Sequence, residues 1–192
     1  MQVKEVVLIG GPNGAGKTTA AGWLLPRTLG IREFVNGDEI AKGLSPFNPE
    51  GSAVRAARLM LARVRELTRA GENFAFETTC AGRGHAQFLK SCRAAGYRVT
   101  VIFLWLPSAA MARARVRQRV REGGHAVPAG VVARRFASGL RNLRRLFLPL
   151  ADVAMIYDNA AAGGVLVAEK TSVGEFIVHD AAKWAKIEKA MG

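Results

Sequence analysis

Cysteine, histidine and acidic side chains are all scarce in this chain. Two cysteines among 192 residues cannot build the disulfide framework of a small secreted domain, and Cys80 and Cys92 lack a C-x-x-C spacing. Both read as small buried thiols. The three histidines, His85, His125 and His179, show no metal-ligand spacing. Long apolar runs are also missing. The longest, residues 99–106, is too short to cross a bilayer, and Lys4 and Glu5 fall where a secretory leader would need an apolar stretch. These absences exclude membrane-spanning and disulfide-scaffold classes and predict a cytoplasmic protein. Acidic residues number 15 against 28 lysines and arginines, a net charge of +13, so the chain attracts polyanions such as nucleotides, phosphorylated metabolites or nucleic acid.

What is present is a folded-protein balance. Hydrophobic residues make up 49% of the chain and charged residues 22%, enough for one domain with a full core over residues 1–192. No repeat, linker or composition break divides it. Apolar runs at residues 6–9, 34–36, 73–77, 98–106 and 153–157 read as five buried parallel strands. Helical signals lie between them: from Lys17 to a stop before Pro26, from Ser52 to a Gly71 cap, from Gly84 to Gly96, from a Ser108 cap through Arg121, and from about Ala129 to Phe147. A hairpin at residues 163–178 and a short helix close the chain. Strands alternating with helices predict an α/β fold with a five-stranded parallel sheet covered on both faces. In such sheets ligands bind beyond the carboxyl ends of the strands. Gly11, Asp38, Glu77, Pro107 and Asp158 all fall there.

The segment Gly11-Pro12-Asn13-Gly14-Ala15-Gly16-Lys17-Thr18 fits G-x-x-x-x-G-K-[ST] between a predicted strand and a predicted helix. Backbone N–H groups of this loop and of the following turn, with Thr19, would cradle phosphate oxygens at a helix N-terminus. Lys17 would neutralise the β- and γ-phosphates of ATP, and the Thr18 hydroxyl would ligate Mg²⁺. No strand ends in the acidic pair of a motor ATPase. Asp38, just past the second strand, suits a base that takes the proton of an attacking hydroxyl, and equally suits a helix N-cap. Glu77, Thr78 and Thr79 end the third strand and would bind substrate hydroxyls; Glu77 would otherwise pair with an arginine. Ten arginines fall between Arg113 and Arg145. Those from 113 to 121 alternate, so on a helix they spread round the cylinder, and only one or two can face a triphosphate. Residues 108–147 read as an Arg-rich helical lid, with His125 in its loop beside the phosphates.

With these residues in hand, the chain resembles the zeta-toxin family of P-loop kinases. The segments that carry the resemblance are GGPNGAGKTT, FVNGDEIAKGLSPFNPE, FAFETT, YRVTVIFLWL, RVRQRVREGGHAVP, RRFASGLRNL and YDNA, in family order from residue 6 to residue 184. The resemblance implies a nucleoside-kinase-like fold, with ATP- and Mg²⁺-dependent phosphorylation of a hydroxyl on a small molecule such as UDP-N-acetylglucosamine. It makes Asp38 the base and places Glu77 in the acceptor pocket. Arg119 and Arg134 or Arg135 become the lid charges. An antitoxin is the partner it implies. The alternatives are another acceptor (a nucleoside, an antibiotic or a polynucleotide end) or a basic NTP-dependent nucleic-acid-binding protein. Acceptor choice would lie in residues 44–49 and 78–83.

Overall fold

β1 (Glu5–Gly10) is apolar on both faces because both are covered, and it sits at the centre of the five parallel strands in the computed structural model, which describes residues 3–124 and 126–192. It pairs in parallel with β3 (Phe74–Thr78) on one side and β4 (Arg98–Trp105) on the other. β2 (Glu33–Val35) adds beyond β3, and β5 (Val153–Asp158) beyond β4, both parallel. The five expected parallel strands are therefore present. The terminal hairpin, β6 (Val165–Lys170) and β7 (Phe176–Val178), does not stand apart from them. It continues the same sheet antiparallel to β5, giving seven strands among the described residues in the order β2-β3-β1-β4-β5-β6-β7. Pairing β6 along β5 satisfies an edge that would otherwise expose its backbone.

Side-chain alternation along the strands divides the interior into two layers. Val6 and Leu8 join Phe74, Phe76, Val101 and Phe103 in one core with α3 (Ala53–Ala70), α4 (Gly84–Ala94) and α8 (Ala181–Met191). Val7 and Ile9 join Ile102 and Leu104 in a second core with α1 (Lys17–Leu24) and α5 (Ala109–Arg121). Ser108 caps α5 as its sequence predicts, accepting from the Met111 N–H at 3.1 Å. The chain crosses from β1 over β3 to reach β2, and from β3 over β1 to reach β4. The order reverses beside β1, which opens a crevice at the carboxyl ends of β1 and β3.

Three local features depart from the sequence expectation. The helix after the phosphate loop does not stop at Pro26; the chain continues through a wider turn, Leu25–Leu29, because a proline N–H is not needed in the first turn of a helix. A short helix α2 (Gly37–Leu44) follows β2 directly. Two glycines in eight residues mask its helical signal. The helix from Ala129 breaks into α6 (Ala129–Asn142), a wide turn Leu143–Phe147 and a single turn α7 (Leu148–Leu150).

α6 positions the loop after β3. Gly139 is buried so tightly that a Cβ there would stand 2.5 Å from the Thr79 carbonyl oxygen. One turn on, the Asn142 amide donates to the Cys80 and Ala81 carbonyls at 2.9 and 3.0 Å. Alanine is the better helix former by about 1 kcal/mol, but the clash with backbone outweighs it. Gly139→Ala is expected to destabilise the fold by about 1–3 kcal/mol, read as a lower urea midpoint at unchanged slope; an unshifted midpoint would show that the 79–81 loop yields freely.

Candidate functional site

The loop after β1 turns so sharply that two of its glycines have no substitute. Gly11 has φ +146°, and a Cβ on it would lie 2.5 Å from the Leu104 carbonyl oxygen; Gly14 has φ +78° and meets Arg115 at 2.9 Å. The Ala15 N–H closes the loop on the Pro12 carbonyl at 3.1 Å, and α1 begins at Lys17. The Lys17 ammonium curls back over the loop to donate to Pro12 O at 3.2 Å. Burial holds its pKa below the ordinary lysine value, against the opposing pull of Glu77 and Asp38.

The next residue meets the sheet. The Thr18 hydroxyl donates to Glu77 Oε2 at 2.8 Å and accepts from the Asn36 amide at 3.3 Å. Burial pushes the Glu77 carboxyl above its usual range; Lys17 and the Thr18 hydrogen bond oppose that shift. Hydroxyl and carboxylate together form a hard-oxygen pair of the kind Mg²⁺ accepts alongside phosphate oxygens. Asn36 removes one of the two readings of Asp38, the helix N-cap. The N-cap of α2 is Asn36, whose Oδ1 accepts from the Asp38 and Glu39 N–H groups at 2.8 and 3.3 Å. The Asp38 carboxylate is left to face the crevice.

Two cavities share one wall there. One, of about 370 Å³, lies over the loop and includes Gly16, Thr18, Thr19, Lys42, Arg115 and Arg119 in its lining. The other, of about 360 Å³, lies between α2, α3 and the loop after β3, with Thr78, Thr79, His85 and Arg135 among its walls. Asn13, Lys17, Asp38 and Glu77 line both. A roomier hollow, about 770 Å³ beside β2, reaches this site only at its Thr18, Asn36 and Glu39 edge and is otherwise mainly apolar.

The arginines of α5 sort as a helix demands. Arg115 and Arg119, one turn apart, turn toward the phosphate loop, while Arg117 and Arg121 are exposed. Arg135 lines the second cavity; Arg134 is exposed and belongs to the lining of neither. His125 lies outside the described residues.

Four residues of the site escaped the sequence reading or were read without a role, and a fifth, Asn13, was read there only for its backbone in the phosphate loop. Asn13 is 5% exposed and its Oδ1 has no partner among the described residues, though it faces both cavities. Asn36 was taken as the end of a strand. His85 stacks on Phe76 with ring centres 5.5 Å apart and meets Thr78 Oγ1 at 3.3 Å; burial lowers its pKa, keeping the ring neutral. Arg115 fixes the far side of the loop, donating to the Asn159 and Ala160 carbonyls at 2.8 and 2.7 Å. Asn159 in turn donates to the Ala15 carbonyl at 2.6 Å. The strand-end position of Asn159 was the one available signal. These two residues border a third cavity, of about 330 Å³, with Trp23, Tyr157 and Gly164. Cys80 and Cys92 are buried thiols, as expected, and burial pushes Cys80 to about 12, far from a reactive thiolate.

A carboxyl with a raised pKa keeps its proton longer in the folded chain than in the unfolded one, so its contribution to stability falls as pH rises from the unfolded value through the folded one. The Glu77→Gln variant is expected to lack that falling limb. Urea unfolding at a series of pH values across the carboxylate range checks it; superimposable profiles for the two proteins would place Glu77 in water.

Comparison with known proteins bears on this geometry. Residues 6–146 match the family model described as an AAA domain. An uncharacterized protein of Haemophilus influenzae is 25% identical over 136 residues, 71% of this chain and 94% of its own length. The structure of the AvrRxo1-ORF1:AvrRxo1-ORF2 complex with sulphate ions superimposes with a TM-score of 0.78 at 19% identity, over 96% of this chain. This chain spans 63% of that protein. A chain of the PezAT chromosomal toxin–antitoxin system of Streptococcus pneumoniae gives a TM-score of 0.66 at 16% identity, covering 100% of this chain and 87% of that one. The resemblance to zeta-toxin P-loop kinases therefore holds at the level of the fold, an α/β P-loop domain.

Proposed function

The chain belongs to this AAA domain family, and on that premise we propose that it is an ATP- and Mg²⁺-dependent phosphotransferase moving a γ-phosphate to a hydroxyl of a second molecule. One observation carries the reading: a phosphate-sized cavity and a second cavity share Lys17, Asp38, Glu77 and Asn13 as their common wall. A switch NTPase needs only the first.

In this reading ATP lays its triphosphate along residues 11–19, with its base in the cavity between Trp23, Arg115 and Gly164. A structure of AvrRxo1-ORF1:ORF2 with ATP, which superimposes at a TM-score of 0.76 and 19% identity, supports that nucleotide. The acceptor hydroxyl enters from the Thr78, Thr79 and His85 side. Asp38 takes its proton as the oxygen bonds to the γ-phosphorus and the bond to the β–γ bridging oxygen breaks, releasing ADP. Lys17 and Arg119 stabilise the negative charge spread over the transferring group, and Arg135 anchors the acceptor. Thr18 and Glu77 would hold Mg²⁺, which when bound would supply further charge neutralisation. The burial of Lys17 and Glu77 supports this. Charges held out of water act more strongly on a nearby phosphate than exposed ones.

Following the zeta-toxin resemblance, UDP-N-acetylglucosamine is the first acceptor to test. The likeness to a toxin–antitoxin chain supports a blocking antitoxin as partner. Asp38→Asn is expected to lower acceptor-dependent ADP release by about 10²–10⁴-fold while leaving nucleotide binding intact; Lys17→Ala is expected to lose nucleotide binding itself. Coupled ADP release and equilibrium nucleotide titration separate the two. Full acceptor phosphorylation by Asp38→Asn would overturn the assignment of the base.

A further inference from the structure

β7 ends the sheet with nothing paired to its far side among the described residues. Its inward bonds tell which groups face out. In an antiparallel ladder, alternate residues exchange both backbone bonds with the neighbouring strand, and those between turn away. The Thr171 N–H donates to the Glu175 carbonyl and the His179 N–H to the Val167 carbonyl, each at 2.8 Å. Glu175 and His179 therefore turn toward β6, and so does Ile177, which stands midway between them opposite Glu169. Phe176 and Val178 are left with N–H and C=O aimed away from the sheet. Their side chains are 43% and 39% exposed, and Phe176 rests on Trp184 of α8 with ring centres 5.0 Å apart. Proteins guard such an edge with charge or proline. The opposite edge of this sheet does so, since Glu33 of β2 is held by Arg63 at 2.8 Å. The outward positions of β7 carry neither.

Charge decides what can approach. Residues 150–192, which build this end of the sheet, hold six acidic and four basic side chains in a chain of net charge +13. Polyanions are drawn to the rest of the molecule, and that same basic surface repels a second copy, while this end does not. The sequence of β7 also complements itself. Antiparallel pairing about a two-fold axis at Ile177 sets Phe176 of each copy opposite Val178 of the other, so the outward backbone groups meet. It sets Ile177 against Ile177 as a non-hydrogen-bonded pair, and Glu175 across from His179 on the same face.

We propose that β7 is a self-association edge, at which a second copy of this chain adds antiparallel and joins the two seven-stranded sheets into one. β7 lies four strands from β1, about 19 Å at ordinary strand spacing, so the pairing leaves the crevice of each copy open. The pairing holds whatever the crevice transfers.

Sedimentation velocity over about a hundredfold range of protein concentration, in salt that screens long-range repulsion, reads the association without nucleotide or acceptor. Wild type is expected to pass from monomer to dimer. Val178→Lys puts a charge at an outward position and is expected to weaken dimerisation by more than about tenfold. Leu59→Lys, at an apolar site on α3 that is 44% exposed, is expected to leave it unchanged. Thermal unfolding checks that both variants are folded. A second measurement reads the register. Residues in a non-hydrogen-bonded pair stand about 4.5 Å apart at Cα, within disulfide reach. Ile177→Cys is therefore expected to give a disulfide-linked dimer on mild oxidation, and Val165→Cys, exposed at the start of β6, is not. Cys80 and Cys92 are buried and stay out of the reaction. The proposal is overturned if wild type remains monomeric at every concentration, which would leave the edge to a strand of a different protein. It is equally overturned if the two lysine variants dimerise alike, or if Val165→Cys cross-links as fast as Ile177→Cys.

Discussion

A buried lysine beside a half-buried carboxylate, with one threonine hydroxyl donating to that carboxylate, is the constraint on which the rest of the site depends. Burial is the first cause of both pKa shifts, lowering that of Lys17 and raising that of Glu77, and the attraction between the two groups opposes each shift. The sheet makes the pairing possible. β1 and β3 are adjacent and parallel, so the loop leaving one and the last residues of the other emerge side by side. The register Ile9↔Glu77 and Gly10↔Thr78 puts the last residues of β3 level with the start of the phosphate loop.

Around that pair the fold supplies clamps rather than catalytic groups. Arg115 ties the helical lid to the loop after β5, and Asn159 ties that loop to Ala15. Gly139 and Asn142 of α6 press and bond the 79–81 loop from the other side. The lid is therefore not a detached flap. Ala112 and Val116 are buried in the same core as Ala15 and α1, and the arginines reach the phosphate cavity because that apolar seam fixes the rotation of α5.

Much of this was legible in advance. Apolar β-branched runs separated by helical segments fix a parallel sheet, because strands buried on both faces have no polar side to show. Strand-end positions for Gly11, Asp38 and Glu77 followed from that reading alone, and the loop motif names its own ligand chemistry. Three things stayed hidden. α2 has too few residues and too much glycine to show a period. The role of Asn36 depends on which of two neighbouring polar residues caps, a choice made by backbone dihedrals. The part of Arg115, and the choice between Arg134 and Arg135, depend on helix rotation, which buried alanines and valines set without any local signal.

By itself the amino-acid sequence determined the strand order's raw material, the phosphate loop and the placing of carboxylates at one rim, since these rest on local periodicity, glycine geometry and chain direction. Only the tertiary structure decided that the hairpin joins the sheet and that the two cavities share a wall. Those outcomes turn on contacts between segments far apart in the chain. No local rule of hydrophobicity or propensity encodes the distance between two helices.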